Sequence, residues 1–259
     1  MARIPCYVLA FHDAPTVRAS LDWLVGFRDR LELVVVENPS ERTDGEIRPY
    51  VESLLAAGAV DRYLLMDENI SNNAFEVALE HERARWEGAE HVLLTDGDLV
   101  GDAGWLDEEL AILTRAEVFA CGIRLSMENL PVEAFPEAVG WVPPPRAEHD
   151  GWIEGLTGLH LVMLGADGLA AYSRFRAANR LRFLDSTMHH FCYRVLDLRW
   201  ARTKATAARH LTWDLYADPE HPYTRFKTGK SLREHWQHER YCGLREISAA
   251  GERYVPTPG

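Results

Sequence analysis

Short apolar runs alternate with amphipathic stretches through the first half of this 259-residue chain, the pattern of strands joined by crossover helices into a mainly parallel sheet. Cys6 to Phe11 reads as a buried strand. Val17, Leu21, Leu24 and Val25 then recur at helical spacing behind Pro15, a residue suited to a first helical turn. Leu33 to Val36 is a second strand, and Thr43 with Glu46 forms a capping-box pattern ahead of the helical stripe Ile47, Val51, Leu54 and Leu55. Arg62 to Met66 predicts a third strand. Asn73 is placed to cap a helix through Phe75, Leu79 and Trp86, and His91 to Thr95 predicts a fourth strand ending in an acidic turn. Leu106, Leu110 and Leu113 mark a further helix.

The alternation fails beyond Val118 to Leu125. Between Met127 and Trp152 stand Pro131, Pro136 and the triplet Pro143, Pro144 and Pro145, which predicts a loop facing a ligand. Order resumes with Leu159 to Leu164, then with a helix carrying Met188, Phe191, Val195 and Leu198 behind the potential caps Asp185 and Ser186. After Asp218 the chain is polar and aromatic. No repeat and no clear linker divides it, so one α/β domain with appendages is expected.

Composition narrows the function classes. Apolar residues make up 47% and charged residues 26%, an ordinary globular balance. The formal net charge of -12 argues against nucleic acid as a partner. Only three basic residues are lysines (Lys204, Lys227 and Lys230), so the positive charge is carried almost entirely by guanidinium groups, whose fixed fork suits phosphate and carboxylate. Cys6, Cys121, Cys192 and Cys242 have no paired spacing, as in a reduced cytosolic chain. His12 and Asp13 interrupt the first apolar run before a signal-peptide core can form, and no stretch has the length of a membrane span. A cytoplasmic protein is the expectation.

Several motifs fail on context. A dinucleotide-binding loop needs glycines after the first strand, and Ala10-Phe11-His12-Asp13-Ala14 has none. Thr228-Gly229-Lys230-Ser231 copies the end of a phosphate loop, but Thr224 stands where its earlier glycine belongs. His235, His238 and Cys242 have a zinc-like spacing, against the simpler reading of a solvated helix. His189, His190 and Cys192 cannot all face one way on a helix.

The acidic turn is more informative. Thr95-Asp96-Gly97-Asp98 puts two carboxylates where a buried strand leaves the sheet, the edge at which open α/β sheets bind ligands. Alternate residues of an extended chain project to one side, so Asp96 and Asp98 can share a hard divalent cation that in turn holds a diphosphate, with Gly97 admitting a ligand to the backbone. In this order of motifs, from Ile4 to about Asp214, the chain resembles the GT-A glycosyltransferases and most closely glycosyltransferase family 2. The resemblance implies a GT-A, Rossmann-like α/β fold. It implies a catalytic domain over residues 1–217, divided into a nucleotide-binding half (1–125) and an acceptor-binding half (126–217), with 218–259 as a C-terminal extension or lid.

The implied site follows from matched positions. Ala10, Phe11, His12 and Asp13 fall where the family cradles the nucleotide base, and Glu37 and Asn38 where it contacts base or ribose; the usual Asp-Asn-Gly-Ser reads Glu37-Asn38-Pro39-Ser40. Asn69 and Asn73 belong to the Asn-containing segment before the third helix, with Ser71 in place of the usual glycine. The metal motif falls on Asp96, Gly97 and Asp98, with His210 as a late ligand and Mn²⁺ or Mg²⁺ as the cofactor. Asp185, in Leu184-Asp185 where Glu-Asp is common, matches the general base of an inverting transfer from a nucleoside-diphosphate sugar, UDP first, to an acceptor hydroxyl. Structural alternatives stand beside these roles: helix caps for Asp13 and Asp185, a turn for Glu37 and Asn38, and a packed histidine for His210. Tyr223, Arg225, Lys227 and Lys230 form either a cationic lid over the diphosphate or a solvated tail. Trp141 and Trp152 either stack on an acceptor sugar or fill the core. A sugar-nucleotide nucleotidyltransferase and an inactive nucleotide-binding relative are the competing readings; the first lacks its Gly-rich basic loop here.

Overall fold

The computed structural model describes residues 2–229, 241–248 and 250–257. Among them, twelve strands make one sheet. In chain order they are β1 (Ile4–Phe11), β2 (Leu31–Asn38), β3 (Arg62–Met66), β4 (His91–Asp96), β5 (Leu99–Gly101), β6 (Val118–Leu125), β7 (Ala147–His149), β8 (Trp152–Glu154), β9 (Val162–Gly165), β10 (Arg199–His210), β11 (Leu244–Ser248) and β12 (Gly251–Val255). Their spatial order is β12-β11-β3-β2-β1-β4-β9-β6-β10-β8-β7, with β5 on β10.

The core strands β3, β2, β1 and β4 are parallel. Their carboxyl ends therefore share one edge, with Phe11 opposite Asn38 and Leu9 opposite Asp96. Both faces of these strands are buried, which is why they read as continuous apolar runs. Cys6, Val8 and Ala10 pack on one face against Leu21 and Leu24 of α1 (Ala14–Val25), Val51 of α2 (Arg48–Ala56) and Leu106 of α5 (Trp105–Leu113). Tyr7 and Leu9 pack on the other, against Phe75 of α3 (Asn73–His81), Leu169 and Tyr172 of α6 (Ala166–Asn179) and Met188 of α7 (Asp185–His190).

Two antiparallel insertions shape the edge. β9 runs antiparallel between β4 and β6, so the segment entering it returns past the end of β4, and the Asp96 N–H donates to the Leu159 carbonyl at 3.2 Å. β10 is parallel to β6 and slips register between Arg202 and Ala207, then pairs with β5 so that His210 lies opposite Leu99. That pairing brings His210 beside Asp98.

Sequence periodicity missed some of this. Thr43 does not cap a helix: its hydroxyl donates to Glu37 at 2.6 Å and accepts from the Ser40 N–H, and a π-helical turn (Thr43–Ile47) precedes α2. Asn73 is the first residue of α3 rather than its cap, and Trp86 falls on a separate short helix, α4 (Arg83–Trp86). The helical stripe after Asp185 divides into α7 and a π-helical turn, Phe191–Val195. After β10, α8 (Thr212–Leu215) leads to α9 (Pro222–Gly229) in the tail, where β11 with β12 extends the sheet antiparallel to β3. No helix among the described residues is long and apolar enough to cross a membrane.

Candidate active site

A pocket opens at the carboxyl edge of the parallel strands. Its lining includes Phe11, Asn38, Asn69, Asp96, Gly97, Asp98, His210, Thr212, Tyr223 and Lys227, contributed by β1, β2, β4, the end of β10, α8, α9 and the loop before α3. The Asn38 side chain holds that loop, accepting from the Ile70 N–H and donating to the Ser71 carbonyl, both at 3.1 Å. Ser71 sits at φ +55°, the left-handed conformation that favours glycine.

Gly97 is required by its neighbour strand. A Cβ at this position would stand 2.9 Å from the Leu9 carbonyl oxygen and 3.3 Å from the Ala10 Cα. The close approach lets the Gly97 N–H donate to Leu9 at 2.8 Å, fixing the turn that carries both carboxylates.

Asp98 is bound on one side and open on the other. Its Oδ2 accepts from the Thr212 hydroxyl at 2.8 Å and faces His210 Nδ1 at 3.5 Å, whereas Oδ1 is buried with no hydrogen-bond partner. Burial lowers the His210 pKa despite the Asp98 charge, so the ring stays neutral, the state in which an imidazole can ligate a metal. The ring stacks flat on Trp213.

His160 Nδ1 lies 3.1 Å from Asp96 Oδ2. Burial pulls this imidazole down, but the hydrogen bond and charge of Asp96, aided by Asp98 and Asp185, more than reverse the effect, and its pKa is raised. Two neighbouring rings, 5.3 Å apart, are thus shifted in opposite directions. The carboxyl of Asp185 is pushed above the usual aspartate range, chiefly by burial and also by Asp96, while the Ser186 N–H and His160 oppose the shift. It occupies the first position of α7 and accepts from Ser186 N–H at 2.5 Å.

No family model matches the sequence. Solved structures that share its architecture include GalNAc-T7 and TarS. GalNAc-T7, crystallised with UDP, GalNAc and Mn²⁺, superimposes on 80% of this chain and 44% of its own with a TM-score of 0.55 and 9% identity. S. aureus TarS 1-349 in complex with UDP-GlcNAc matches 80% of this chain and 58% of its own, at TM-score 0.52 and 14% identity. The chain has the GT-A fold. In sequence, the GT-A chain is 38% identical over 92% of its length to Uncharacterized protein L137 of Acanthamoeba polyphaga mimivirus, of which it covers 33%. It is also 36% identical over 87% of its length to Uncharacterized protein L142 of the same virus, covering 47% of that protein. The chain therefore spans less than half the length of these relatives.

Within this GT-A edge, the structure gathers Phe11, Asn38, Asn69, Asp96, Gly97, Asp98, His210 and Lys227 around one pocket. Ala10 is buried beneath Gly97. His12 and Asp13 line an adjoining hollow with Arg42 and His221, and Asp13 caps α1 by accepting from the Thr16 N–H at 3.1 Å. Glu37 does not line the pocket: it is fully buried, with hydroxyls of Thr43 and Tyr63 on its two oxygens, and burial pushes its pKa up to about 7. Asn73 is buried at the start of α3 and is also outside the pocket lining.

Arg225 is exposed and paired with Glu220 at 2.5 Å, away from the lining. Lys230 lies outside the described residues, as do His235 and His238. Trp141 packs with Phe135, Trp213 and Tyr216, continuing the aromatic run that starts at His210. Trp152 is buried in β8 with His149 stacked on it, so its ring belongs to the core. Sequence reasoning passed over His160 because its place beside Asp96 depends on the antiparallel return into β9. Its only local mark is Gly158, where a Cβ would strike the His160 ring at 2.5 Å.

Proposed function

We propose that the chain is an inverting, metal-dependent glycosyltransferase of the family 2 type, taking a sugar from a nucleoside diphosphate, UDP first, to an acceptor hydroxyl. The observation that carries this reading is Asp98 Oδ1, a buried carboxylate oxygen without a partner, in one pocket with Asp96 at the GT-A sheet edge. The likeness to structures holding UDP and Mn²⁺ or UDP-GlcNAc supports the same reading.

The side chains present fit Mn²⁺ or Mg²⁺ only as a shared site. Among the described residues, no three His, Cys, Asp or Glu side chains converge closely enough to hold an ion by themselves. Asp98 and Asp96, with His210 beside them, would complete their set with diphosphate oxygens and water, an arrangement natural to hard cations. Bound there, the cation would neutralise charge growing on the departing diphosphate.

The chain's own groups do the rest. Asn69, Asn38 and Phe11 line the donor pocket on the nucleotide side, with α9 packed across it through Phe226 on Phe11 and His12. Lys227 and Tyr223 border it from α9, as a lid over the diphosphate would. Asp185 takes the acceptor proton, its raised pKa making it a stronger base than an exposed aspartate. His160, with Nδ1 3.1 Å from Asp96 Oδ2, holds that carboxylate in place.

Asp185→Asn should lower sugar transfer by about 10²- to 10⁴-fold, the usual worth of a general base, while nucleotide affinity stays within about twofold. Unchanged transfer by the variant would remove Asp185 from the mechanism.

A further inference from the structure

A second pocket, separate from the donor pocket, lies beyond Asp185 along α7. It is lined by Arg146, Ser186, His189, His190, Tyr193 and Arg194, with no carboxylate among its lining residues. This is unusual in a chain of net charge -12, where arginines such as Arg3, Arg48, Arg62 and Arg176 have carboxylate partners. Arg146 and Arg194 have none among the described residues.

The cavity is built by the fold. Arg202 is held under the proline triplet, donating to the Pro143 carbonyl at 2.9 Å and to Pro144 at 3.2 Å. The next residue out of the triplet is Arg146, whose N–H donates to Glu154 at 2.8 Å and whose guanidinium lies 4.1 Å from the Tyr193 ring centre. The His189 ring stands edge-on to Trp200, hydrogen-bonded to the Thr157 backbone. Its Nε2 is buried without a partner. Burial, reinforced by Arg146, drives the His189 pKa down to about 4, so the ring is neutral at neutral pH, one nitrogen donating and the other accepting.

We propose that this pocket is the acceptor subsite for an anionic group, a phosphate or a carboxylate carried by a hydroxylated acceptor. The two guanidinium forks bind the anion, and the neutral His189 ring lines the pocket beside them. Ser186 joins the pocket to Asp185, so an acceptor anchored here presents its reacting hydroxyl to that carboxylate. The fork geometry matches both oxyanions, which a lone ammonium would not. The word acceptor rests on the glycosyltransferase reading; binding of the anion does not.

The test is a titration of the purified protein with glucose 1-phosphate, galacturonate and galactose, followed through the imidazole C–H proton resonances of His189 and His190. These signals are assigned with His189→Asn and His190→Asn, and the series is repeated with UDP and diamagnetic Mg²⁺ present to fill the donor pocket. One or both charged sugars should shift these signals, and which one does so distinguishes phosphate from carboxylate. Galactose should not shift them at the same concentration. Arg146→Ser combined with Arg194→Ser, both exposed side chains, should weaken the charged sugar about tenfold or more, the worth of a charge-assisted hydrogen bond. Equal shifts with galactose, no shift with either charged sugar, or unchanged affinity in the double variant would overturn the proposal. Failure of UDP to bind would instead count against the glycosyltransferase reading, because the titration without UDP still reports on the pocket.

Discussion

Replacing Glu37 by Gln should stabilise the protein in a strongly pH-dependent way. The carboxyl is fully buried below the sheet edge, and burial carries its pKa from 4.5 to about 7, with the Thr43 and Tyr63 hydroxyls only partly opposing the shift. Because the folded protein holds this proton more tightly than the unfolded chain, the contribution is fully present below 4.5 and is lost as pH rises through about 7. At about 1.4 kcal/mol per pH unit, ionised Glu37 costs about 3 kcal/mol of stability at pH 8. Gln matches the shape of the protonated acid, one oxygen still accepting from a hydroxyl and the amide N–H able to donate to the other hydroxyl oxygen, and it cannot ionise. Thermal unfolding followed by circular dichroism from pH 5 to 8.5 should show wild type and Glu37→Gln nearly equal at the acid end. At pH 8 the variant should melt about 6–12 °C higher, from roughly 2–4 °C per kcal/mol at this size. Other titrating groups are shared and cancel in the difference. A gap that stays constant with pH would show that Glu37 is not the buried acid described above.

Other outcomes follow from equally local features. Glu109 is fully buried with both carboxylate oxygens unpartnered and its pKa raised well above normal by burial, so Glu109→Met should gain about 1–3 kcal/mol in urea unfolding. Ser71→Gly, at φ +55°, should be stabilising by about 1 kcal/mol in the same assay, since it relieves a left-handed non-glycine residue. Gly97→Ala should destabilise the fold and weaken nucleotide binding, because its Cβ meets the Leu9 carbonyl at 2.9 Å; a variant with native melting and native affinity would contradict the close approach. With Asp185 as the proposed base, transfer rate should rise with pH through an acid limb placed above the ordinary aspartate range, since the carboxyl would have to be ionised and burial raises its pKa.

The parallel half of the fold was legible because its strands are buried on both faces and its helices carry clean stripes: Arg62–Met66 and Val118–Leu125 emerge with the boundaries their apolar runs mark. β10 was not legible, since its later residues, Lys204 to His210, are largely solvent-facing and pair through an irregular register. α6 was hidden for a related reason: alanines and arginines give it little amphipathic contrast, although it buries Leu169 and Tyr172. At the site, Asp96 and Asp98 announce themselves through local spacing. His160 and the cationic pocket do not, because each depends on segments brought together by β9 or by the proline triplet. Ser71 shows the converse, a departure from an expected glycine that keeps the glycine-like backbone.

The central claim is a nucleotide site that depends on a divalent cation and Asp98. Calorimetric titration of the protein with UDP, GDP, dTDP and CDP, each with and without Mn²⁺, tests it in wild type and Asp98→Ala. One nucleotide, UDP first, should bind when Mn²⁺ is present, and that binding should vanish without the metal and in a folded Asp98→Ala variant. Absence of binding by every nucleotide, or binding indifferent to both Mn²⁺ and Asp98, would contradict the account.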